Sequence, residues 1–201
     1  MRVAIVDYGA GNVPSVERAL KKLGAQPERV STAEGLATAG AIILPGVGHY
    51  AALIRALEER ELREPLVDAI LRGKPFLGIC LGLQALYQSS EEAPELAGLG
   101  ILRGKICALP ESVKLPHMGW NRLKIRRTSR LLDGLSEGDY FYFAHTFAAD
   151  AANSETLAVC EYGAEFGAVL EMDRICAVQF HPEKSGAAGA KLLGNFLRIA
   201  A

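Results

Sequence analysis

Cys80 is the residue whose type and setting best suit a nucleophile. It lies in the segment Gly78-Ile79-Cys80-Leu81-Gly82, directly after an apolar run and directly before residues with helical spacing. This is the context of a nucleophile elbow, a strained turn in which neighbouring Cβ atoms would clash and glycines are needed. The turn would place the sulfur at the carboxyl edge of a sheet, where a helix N-terminus favours the thiolate. A buried core cysteine beside packing glycines gives the same pattern, so this segment alone leaves both interpretations open.

A thiolate nucleophile needs a base that is close in space rather than in sequence. His181 follows the apolar run that includes Val178 and Phe180, so it can reach the same sheet edge as Cys80. Glu183 lies two residues later and can bond the far ring nitrogen, which would fix the tautomer and stabilise the imidazolium. A lone histidine is more often structural, but the three residues together predict a Cys–His–Glu triad.

The other three cysteines, Cys107, Cys160 and Cys176, stand in apolar, strand-like contexts. No two cysteines form a C-x-x-C pair, so the sequence predicts neither a zinc site nor a thioredoxin-like redox motif. We expect no metal, no cofactor and no disulfide, since the expected compartment is reducing.

Composition narrows the classes of protein to consider. The chain has 201 residues, of which 50% are hydrophobic and 22% are charged, which predicts one folded domain over residues 1–201. Lys and Arg total 22 against 23 Asp and Glu, so no basic excess indicates nucleic-acid binding. The N-terminus lacks the pattern of a signal peptide, and no apolar run reaches the roughly 18 residues of a membrane span. We therefore expect a cytoplasmic protein without nucleic-acid or membrane partners.

Short apolar runs alternate with helical patterns in the first half of the chain. The predicted strands are 3–6, 41–44 and 75–79. Asn12 is the expected N-cap of the first helix and Gly24 its stop, and helices follow around Leu53–Leu57 and Leu62–Ile70. The elbow helix is expected to include Leu83, Leu86 and Tyr87. Continuously apolar strands that alternate with helices predict an α/β fold with a parallel sheet covered on both faces.

The second half changes character. Short strands and turns occupy residues 101–171, and residues 166–172 and 175–180 are expected to form a β-hairpin. The last segment is helical, with Ala190, Leu193, Phe196, Leu197 and Ala200 on one face. The prediction is a mainly parallel central sheet with helices on both faces, extended by antiparallel strands.

Two segments together, 78–84 (Gly-Ile-Cys-Leu-Gly-Leu-Gln) and 179–183 (Gln-Phe-His-Pro-Glu), resemble the class I, triad-type glutamine amidotransferases. Within that class the chain is similar to the glutaminase subunits of imidazole glycerol phosphate synthase, from histidine biosynthesis. The segments that carry this closer resemblance are 7–12, 45–48, 116–121 and 181–185. The resemblance runs from the first strand to the last helix and implies a flavodoxin-like three-layer fold.

The resemblance implies a specific chemistry. Cys80 would attack the side-chain carboxamide of glutamine, His181 would shuttle protons, Glu183 would orient His181, and water would release glutamate from a thioester. The residues implied to contact glutamine or its oxyanion are Gly46, Val47, Gly48, Leu81, Gln84, His145 and Thr146. The family segment around His145 usually ends His-Ser-Tyr; here Thr146 keeps a hydroxyl and Phe147 loses one, which leaves Phe147 only a backbone contact.

The resemblance also implies a partner. The ammonia would pass into a cyclase subunit, a (β/α)₈ barrel, which forms imidazole glycerol phosphate and releases an aminoimidazole carboxamide ribotide. Asn12, Trp120 and Lys184 match positions that face this partner. Free ammonia without an acceptor is wasted, so we expect the partner to activate the glutaminase through a change in the loop 45–48, where two glycines make a peptide flip sterically easy.

Two alternatives remain. The chain could be the glutaminase of another synthase, against which the segment 116–121 (Pro-His-Met-Gly-Trp-Asn) argues. It could also be a cysteine-dependent peptidase or a catalytically silent binding module on the same fold, and the intact His-Pro-Glu segment argues against silence.

Overall fold

The computed structural model describes residues 1–201 as a mixed α/β fold. The strands are β1 (Arg2–Val6), β2 (Gln26–Val30), β3 (Ala41–Gly46), β4 (Phe76–Cys80), β5 (Tyr87–Ser90), β6 (Leu102–Ala108), β7 (His117–Arg122), β8 (Lys124–Ile125), β9 (Tyr140–His145), β10 (Phe147–Asp150), β11 (Thr156–Tyr162), β12 (Ala164–Met172) and β13 (Ile175–Val178). The helices are α1 (Val13–Lys22), α2 (Ala33–Thr38), α3 (Tyr50–Glu59), α4 (Arg63–Leu71), α5 (Leu81–Gln84) and α6 (Gly186–Ala200). None of these helices has both the length and the apolarity that a membrane crossing requires.

Five strands form the parallel half of the central sheet, in the order β2-β1-β3-β4-β13. This is the flavodoxin-like order, in which the second strand lies outside the first and later strands extend the other side. The predicted fold class is therefore confirmed. The carboxyl ends of β4 and β13 meet at one edge, because the two strands are parallel neighbours.

Helices cover both faces of the sheet because the strands alternate between two cores. Along β1, Val3 and Ile5 pack with α1 and α6, whereas Ala4 and Val6 pack with the residues of α2, α3, α4 and α5. Every residue of β3 is buried, as a strand covered on both faces requires.

The second half extends the sheet with antiparallel strands. The predicted hairpin is confirmed: β12 and β13 pair antiparallel and turn at Asp173, which has a φ of 55°. β11 follows one side of β12, while β10 and then β6 and β5 continue the sheet beyond it. β7 and β9 stand apart as a two-stranded antiparallel ribbon.

Three local features differ from the sequence prediction or escaped it. The elbow helix α5 ends at Gln84, and Tyr87 lies in β5, so the prediction that Leu86 and Tyr87 continue the helix is wrong. Tyr87 pairs with Leu102 of β6, and this sheet pairing overrides the local helical spacing. Strand β2 and helix α2 were not predicted, because β2 is mostly exposed and polar and α2 has only six residues.

Candidate active site

Cys80 ends β4 in a strained conformation. Its φ is 54° and its ψ is −107°, a region that non-glycine residues rarely occupy, and α5 begins with the next residue. This is the backbone of a nucleophile elbow, and it lifts the sulfur to the carboxyl edge of the sheet. Because α5 has only four residues, its dipole contributes less to the thiolate than the sequence pattern predicted.

The glycines of the elbow are required by close backbone packing. A Cβ on Gly82 would lie 1.9 Å from the carbonyl oxygen of Leu44, and a Cβ on Gly78 would lie 2.6 Å from the carbonyl oxygen of Gly82. Gly46, at the end of β3, is equally confined, since its Cβ would lie 2.5 Å from the Cβ of Leu81. The strand, the elbow and the neighbouring loop can therefore approach one another only through glycines.

We expect the Gly82→Ala substitution to lower the free energy of unfolding by about 3 kcal/mol, because the backbone of Leu44 cannot yield to the new methyl group. The matched control is Gly194→Ala in α6, where nothing lies within 4 Å of the added Cβ. That change should stabilise the helix by about 0.5–1 kcal/mol. Urea unfolding of both variants tests the expectation, and equal midpoints would contradict it.

His181 and Glu183 lie at the same sheet edge as Cys80. Glu183 Oε1 lies 3.0 Å from His181 Nδ1, and the two side chains are 1% and 2% exposed. The Cys80 thiol is close enough to His181 to raise the pKa of the imidazole. The structure thus brings the three predicted triad residues together, with the imidazole between sulfur and carboxylate.

Asn12 joins this group. It occupies the predicted N-cap position of α1, but its side chain makes no cap bond; Asn12 Nδ2 donates instead to Glu183 Oε1 at 2.9 Å. The carboxylate therefore accepts from Asn12 and His181 through one oxygen. The sequence placed Asn12 at a partner surface, and the structure shows that it is half-buried against the triad.

Electrostatics favour a charged His181–Glu183 pair. Burial acts to lower the pKa of His181, but its contacts with Cys80 and Glu183 outweigh burial and raise the pKa to about 10. Burial acts to raise the pKa of Glu183, and the bonds from His181 and Asn12 outweigh it and lower the pKa. An imidazolium held by a carboxylate is the partner that a thiolate needs.

A cavity of about 380 Å³ opens beside Cys80. It is lined by most of the predicted glutamine contacts, namely Val47, Gly48, Leu81, Gln84, His145 and Thr146. Gly46 is not on its wall and acts by packing against Leu81. A cavity of about 600 Å³ lies at the amino ends of β3, β4 and β13, away from the triad, and no cysteine, serine, threonine or histidine lines it.

The floor of the site is a hydrogen-bonded chain of amides. Gln84 is 3% exposed, and its Nε2 donates to the carbonyl oxygen of Phe147 at 2.8 Å and to Gln179 Oε1 at 3.1 Å. Gln179 Nε2 lies 3.6 Å from Cys80 Sγ. Phe147 thus makes a backbone contact that needs no phenolic hydroxyl. No role for Gln179 was predicted from the sequence; a polar residue inside the apolar run 175–180 was the available signal.

The loop that follows β3 borders the cavity. Val47 is 37% exposed, and Gly48 has a φ of 93°, which favours glycine. Tyr8 is buried behind this loop: burial raises the pKa of its hydroxyl to about 12, and the Val47 backbone amide acts in the opposite direction. The Tyr8 hydroxyl itself makes no hydrogen bond within the chain.

His117 and His145 form a second buried pair, apart from the triad. His117 Nδ1 lies 3.1 Å from His145 Nε2, and His145 Nδ1 lies 2.9 Å from the carbonyl oxygen of Phe147. The His117 ring stacks between Phe143 and Tyr162. Burial lowers the pKa of His117 to about 4 and that of His145 to about 3, so both rings are neutral at pH 7.

This pair predicts a loss of stability in acid. Unfolded histidines take up a proton near pH 6.5, but the folded pair does so only near pH 3–4. Between these values the unfolded state binds more protons, so the free energy of unfolding should fall as the pH drops from about 6.5 to about 4. Urea unfolding at several pH values measures this slope. His117→Gln, which cannot titrate, should make the slope shallower, and an unchanged slope would contradict the assignment.

The remaining cysteines lack the setting of Cys80. All four cysteines are free thiols. Cys160 and Cys176 are buried in β11 and β13, and burial raises the pKa of both thiols, that of Cys160 to about 12. Cys107 is half-buried in β6, and burial also raises the pKa of its thiol. No group of three or more His, Cys, Asp or Glu side chains is arranged to hold a metal ion.

Two of the predicted interface residues share one exposed surface. Trp120 is 56% exposed on β7, and its ring lies 5.9 Å from that of Tyr142 on β9. Lys184 Nζ lies 5.5 Å from the centroid of the same Tyr142 ring. Met118, which is 65% exposed, continues this surface along β7. The apolar and basic groups together form a surface suited to a protein partner.

Comparisons with known proteins agree with this geometry. The sequence matches the family model described as "Glutamine amidotransferase class-I" over residues 4–200. It is 47% identical over 197 residues to imidazole glycerol phosphate synthase subunit HisH of Methanothermobacter thermautotrophicus, with 98% of each chain covered. It is 45% identical over 202 residues to the HisH subunit of Aquifex aeolicus, with 100% of this chain and 98% of that one covered.

A solved structure shares the fold at lower identity. The structure of PurLQS from Thermotoga maritima superimposes with a TM-score of 0.77 at 23% identity, covering 98% of this chain and 97% of that one. At this identity the likeness speaks for the fold alone.

Proposed function

Because this chain belongs to the class I glutamine amidotransferases and, within them, to the family of imidazole glycerol phosphate synthase subunit HisH, we propose that it hydrolyses glutamine to glutamate and ammonia through Cys80. The observation that carries the proposal is the buried arrangement of Cys80, His181 and Glu183 beside the cavity. We take residues 1–201 as a single glutamine amidotransferase domain that acts in the cytoplasm without a metal or cofactor.

The steps follow from the positions of the groups. The Cys80 thiolate attacks the side-chain carbonyl carbon of glutamine, and the His181 imidazolium gives its proton to the departing ammonia. Neutral His181 then takes a proton from water, which attacks the thioester, and the C–S bond breaks to release glutamate and the thiolate. Glu183 stabilises the imidazolium in each half of the cycle. The Leu81 amide, at the elbow, is the proposed donor to the oxyanion.

Substrate contacts come from the walls of the cavity. Both amide hydrogens of Gln84 are engaged by Phe147 and Gln179, so its Oε1 is the end that can accept from an N–H of glutamine. His145 and Thr146 also line the cavity, but both ring nitrogens of His145 are already bonded, to Phe147 and His117, which leaves the Thr146 hydroxyl as the proposed polar contact.

The proposed partner is the cyclase subunit, a (β/α)₈ barrel that receives the ammonia. It would close imidazole glycerol phosphate and release aminoimidazole carboxamide ribotide. We propose that it binds the surface formed by Trp120 and Lys184. Asn12, which donates to Glu183, would link its binding to the triad. High identity to HisH subunits over almost the whole chain supports this partner over that of another synthase.

We propose that the loop of Gly46, Val47 and Gly48 transmits activation by the partner. Its exposed Val47 and the positive φ of Gly48 support this role. A missing oxyanion donor costs about 10²–10³ in rate, so a loop that withholds one would keep the free chain slow.

The test compares glutamine hydrolysis by the free chain, by its complex with the cyclase from the same organism, and by the complex with the ribotide substrate bound. The proposal expects a stable complex and the highest rate in the third case. A free chain as fast as the ligand-loaded complex would refute the activation, and the absence of hydrolysis in all three would refute the glutaminase assignment.

Lys184→Ala should weaken the stimulation of glutamine hydrolysis by the ligand-loaded cyclase and leave the triad in place. The Lys184 side chain is exposed and its ammonium lies over the Tyr142 ring, while only its backbone N–H contacts His181, by donating to the carbonyl oxygen at 3.0 Å. The ratio of the stimulated to the basal rate measures this. Arg18→Ala, an exposed cation on α1 outside the surface, is the control. A lower basal rate with unchanged stimulation would mean that Lys184 acts on the glutamine site, whose cavity it lines, and not on the partner.

A further inference from the structure

The sulfur of Cys80 has a neighbour that the reaction scheme does not use. Gln179 Nε2 lies 3.6 Å from Cys80 Sγ, and Gln179 has 0% exposure. Gln179 directly follows β13, which is the sheet neighbour of β4, so its side chain can reach the sulfur at the end of β4. A buried amide of this kind needs partners for its polar atoms, and the sulfur is one of them.

The orientation of the Gln179 amide is set by its other partner. Gln84 Nε2 donates to Gln179 Oε1 at 3.1 Å, so the nitrogen of Gln179 is the end that faces Cys80. Gln84 is itself fixed, because its Nε2 also donates to the carbonyl oxygen of Phe147 at 2.8 Å. A reversed Gln179 amide would set two NH₂ groups against each other and an oxygen against the sulfur.

Several groups around the sulfur affect its charge. The carbonyl oxygen of Ala144 lies 4.0 Å from Sγ and accepts from the thiol, so it favours the neutral form. The His181 imidazolium favours the thiolate. The other titratable groups nearby are Tyr8 behind the sulfur and His145, Glu92 and Lys184 on the cavity wall. Among these neighbours, Gln179 is the uncharged donor whose direction is fixed by the fold.

We propose that Gln179 is a catalytic residue whose Nε2–H donates to the Cys80 thiolate, with Gln84 as the positioning residue that keeps the amide turned toward the sulfur. The donor holds the nucleophile charged before attack and stabilises the thiolate again when the thioester breaks. The place of this step in catalysis rests on the proposed glutaminase function, whereas the effect on the thiolate does not.

The first experiment measures the rate of Cys80 alkylation by iodoacetamide against pH, with the Cys80 peptide followed by mass spectrometry in the full chain. Gln179→Glu keeps the shape but replaces the donor with a charged acceptor, whereas Gln179→Met keeps the volume and removes the donor without adding a charge. Hydrogen bonds to charged groups predict that the pH of half-maximal rate rises by about one unit or more in both variants. Gln26→Met, an exposed glutamine on β2, should leave the profile unchanged. Folded Gln179 variants with the wild-type profile would overturn the proposal.

A second measurement needs no change at Gln179, in case those variants do not fold. In the ¹⁵N-labelled wild-type chain, the side-chain NH₂ resonances of Gln179 should shift with the same pH midpoint as Cys80 alkylation. They should show no such shift in Cys80→Ala. Gln179 side-chain resonances that do not shift as Cys80 ionises would overturn the proposal.

Steady-state turnover distinguishes a failure of this inference from a failure of the proposed function. In the complex with the cyclase, Gln179→Glu should lower kcat for glutamine about tenfold or more with little change in KM, since the donor acts on the sulfur and not on the substrate. If the wild-type complex hydrolyses no glutamine but the alkylation profile still depends on Gln179, the function fails and the inference stands. If hydrolysis occurs and kcat and the profile are indifferent to Gln179, the inference fails alone.

Discussion

Replacing Cys80 with alanine or serine should reduce glutamine hydrolysis by about 10⁴-fold or more. Without the sulfur, the thioester bond cannot form. A serine hydroxyl at this position would face an imidazolium, which suits a thiolate but cannot take the proton of a hydroxyl. The fold should persist, because the elbow depends on Gly78 and Gly82 rather than on the side chain of Cys80. Steady-state glutamate production by the ligand-loaded complex measures the loss.

The other cysteines are the controls for this result. Cys107→Ser, Cys160→Ala and Cys176→Ala should each keep near wild-type turnover, because none of these thiols contacts a histidine. Cys160 and Cys176 are fully buried, so their loss should lower the free energy of unfolding by about 1 kcal/mol instead. Turnover close to wild type in Cys80→Ala would refute the mechanism.

His181→Ala should cost about 10⁴-fold in glutamine hydrolysis, far more than Glu183→Gln, for which we expect a loss of about 10²-fold. His181 moves the proton in both halves of the cycle. Glu183 only orients and stabilises the ring, and a glutamine in its place can still accept from His181 Nδ1 through Oε1. Turnover and its pH profile, measured with each variant in the complex, test the difference.

The hydrogen bond from Asn12 also bears on the expected effect of Glu183→Gln. Since Asn12 Nδ2 donates to the same carboxylate oxygen, Glu183→Gln keeps an acceptor for both neighbours. Equal losses in the His181 and Glu183 variants would mean that the carboxylate charge matters as much as the base itself, and the division of roles would be wrong.

The sequence predicted most of the fold, and the structure brings the three proposed triad residues to one edge of the sheet. Cys80 and His181 each follow an apolar run that predicts a strand of the parallel sheet, so both are expected at its carboxyl edge. The glycines around Cys80 indicate a sharp turn. The apolar runs of β3, β4 and β13 are long and uniform enough to be read locally. Glu183 lies only two residues after His181, so the short segment keeps its carboxylate near the imidazole.

What escaped prediction depends on partners that are distant in sequence. The helix after Cys80 stops after one turn because Tyr87 pairs with β6, a contact that no local pattern shows. Asn12 looked like a cap but bonds Glu183, which lies 171 residues away. Gln179 looked like part of a strand, and only the folded chain shows that it reaches the sulfur while Gln84 fixes its amide.

The central claim is that Cys80 is the nucleophile of a glutamine site, and affinity labelling tests it most directly. The probe is a glutamine analogue in which a diazoketone replaces the carboxamide, incubated with the cyclase complex and followed by peptide mass spectrometry. We expect one label per chain, on Cys80, with parallel loss of glutamine hydrolysis and protection by glutamine. A label on another cysteine, or labelling of Cys80 that glutamine does not slow, would contradict it.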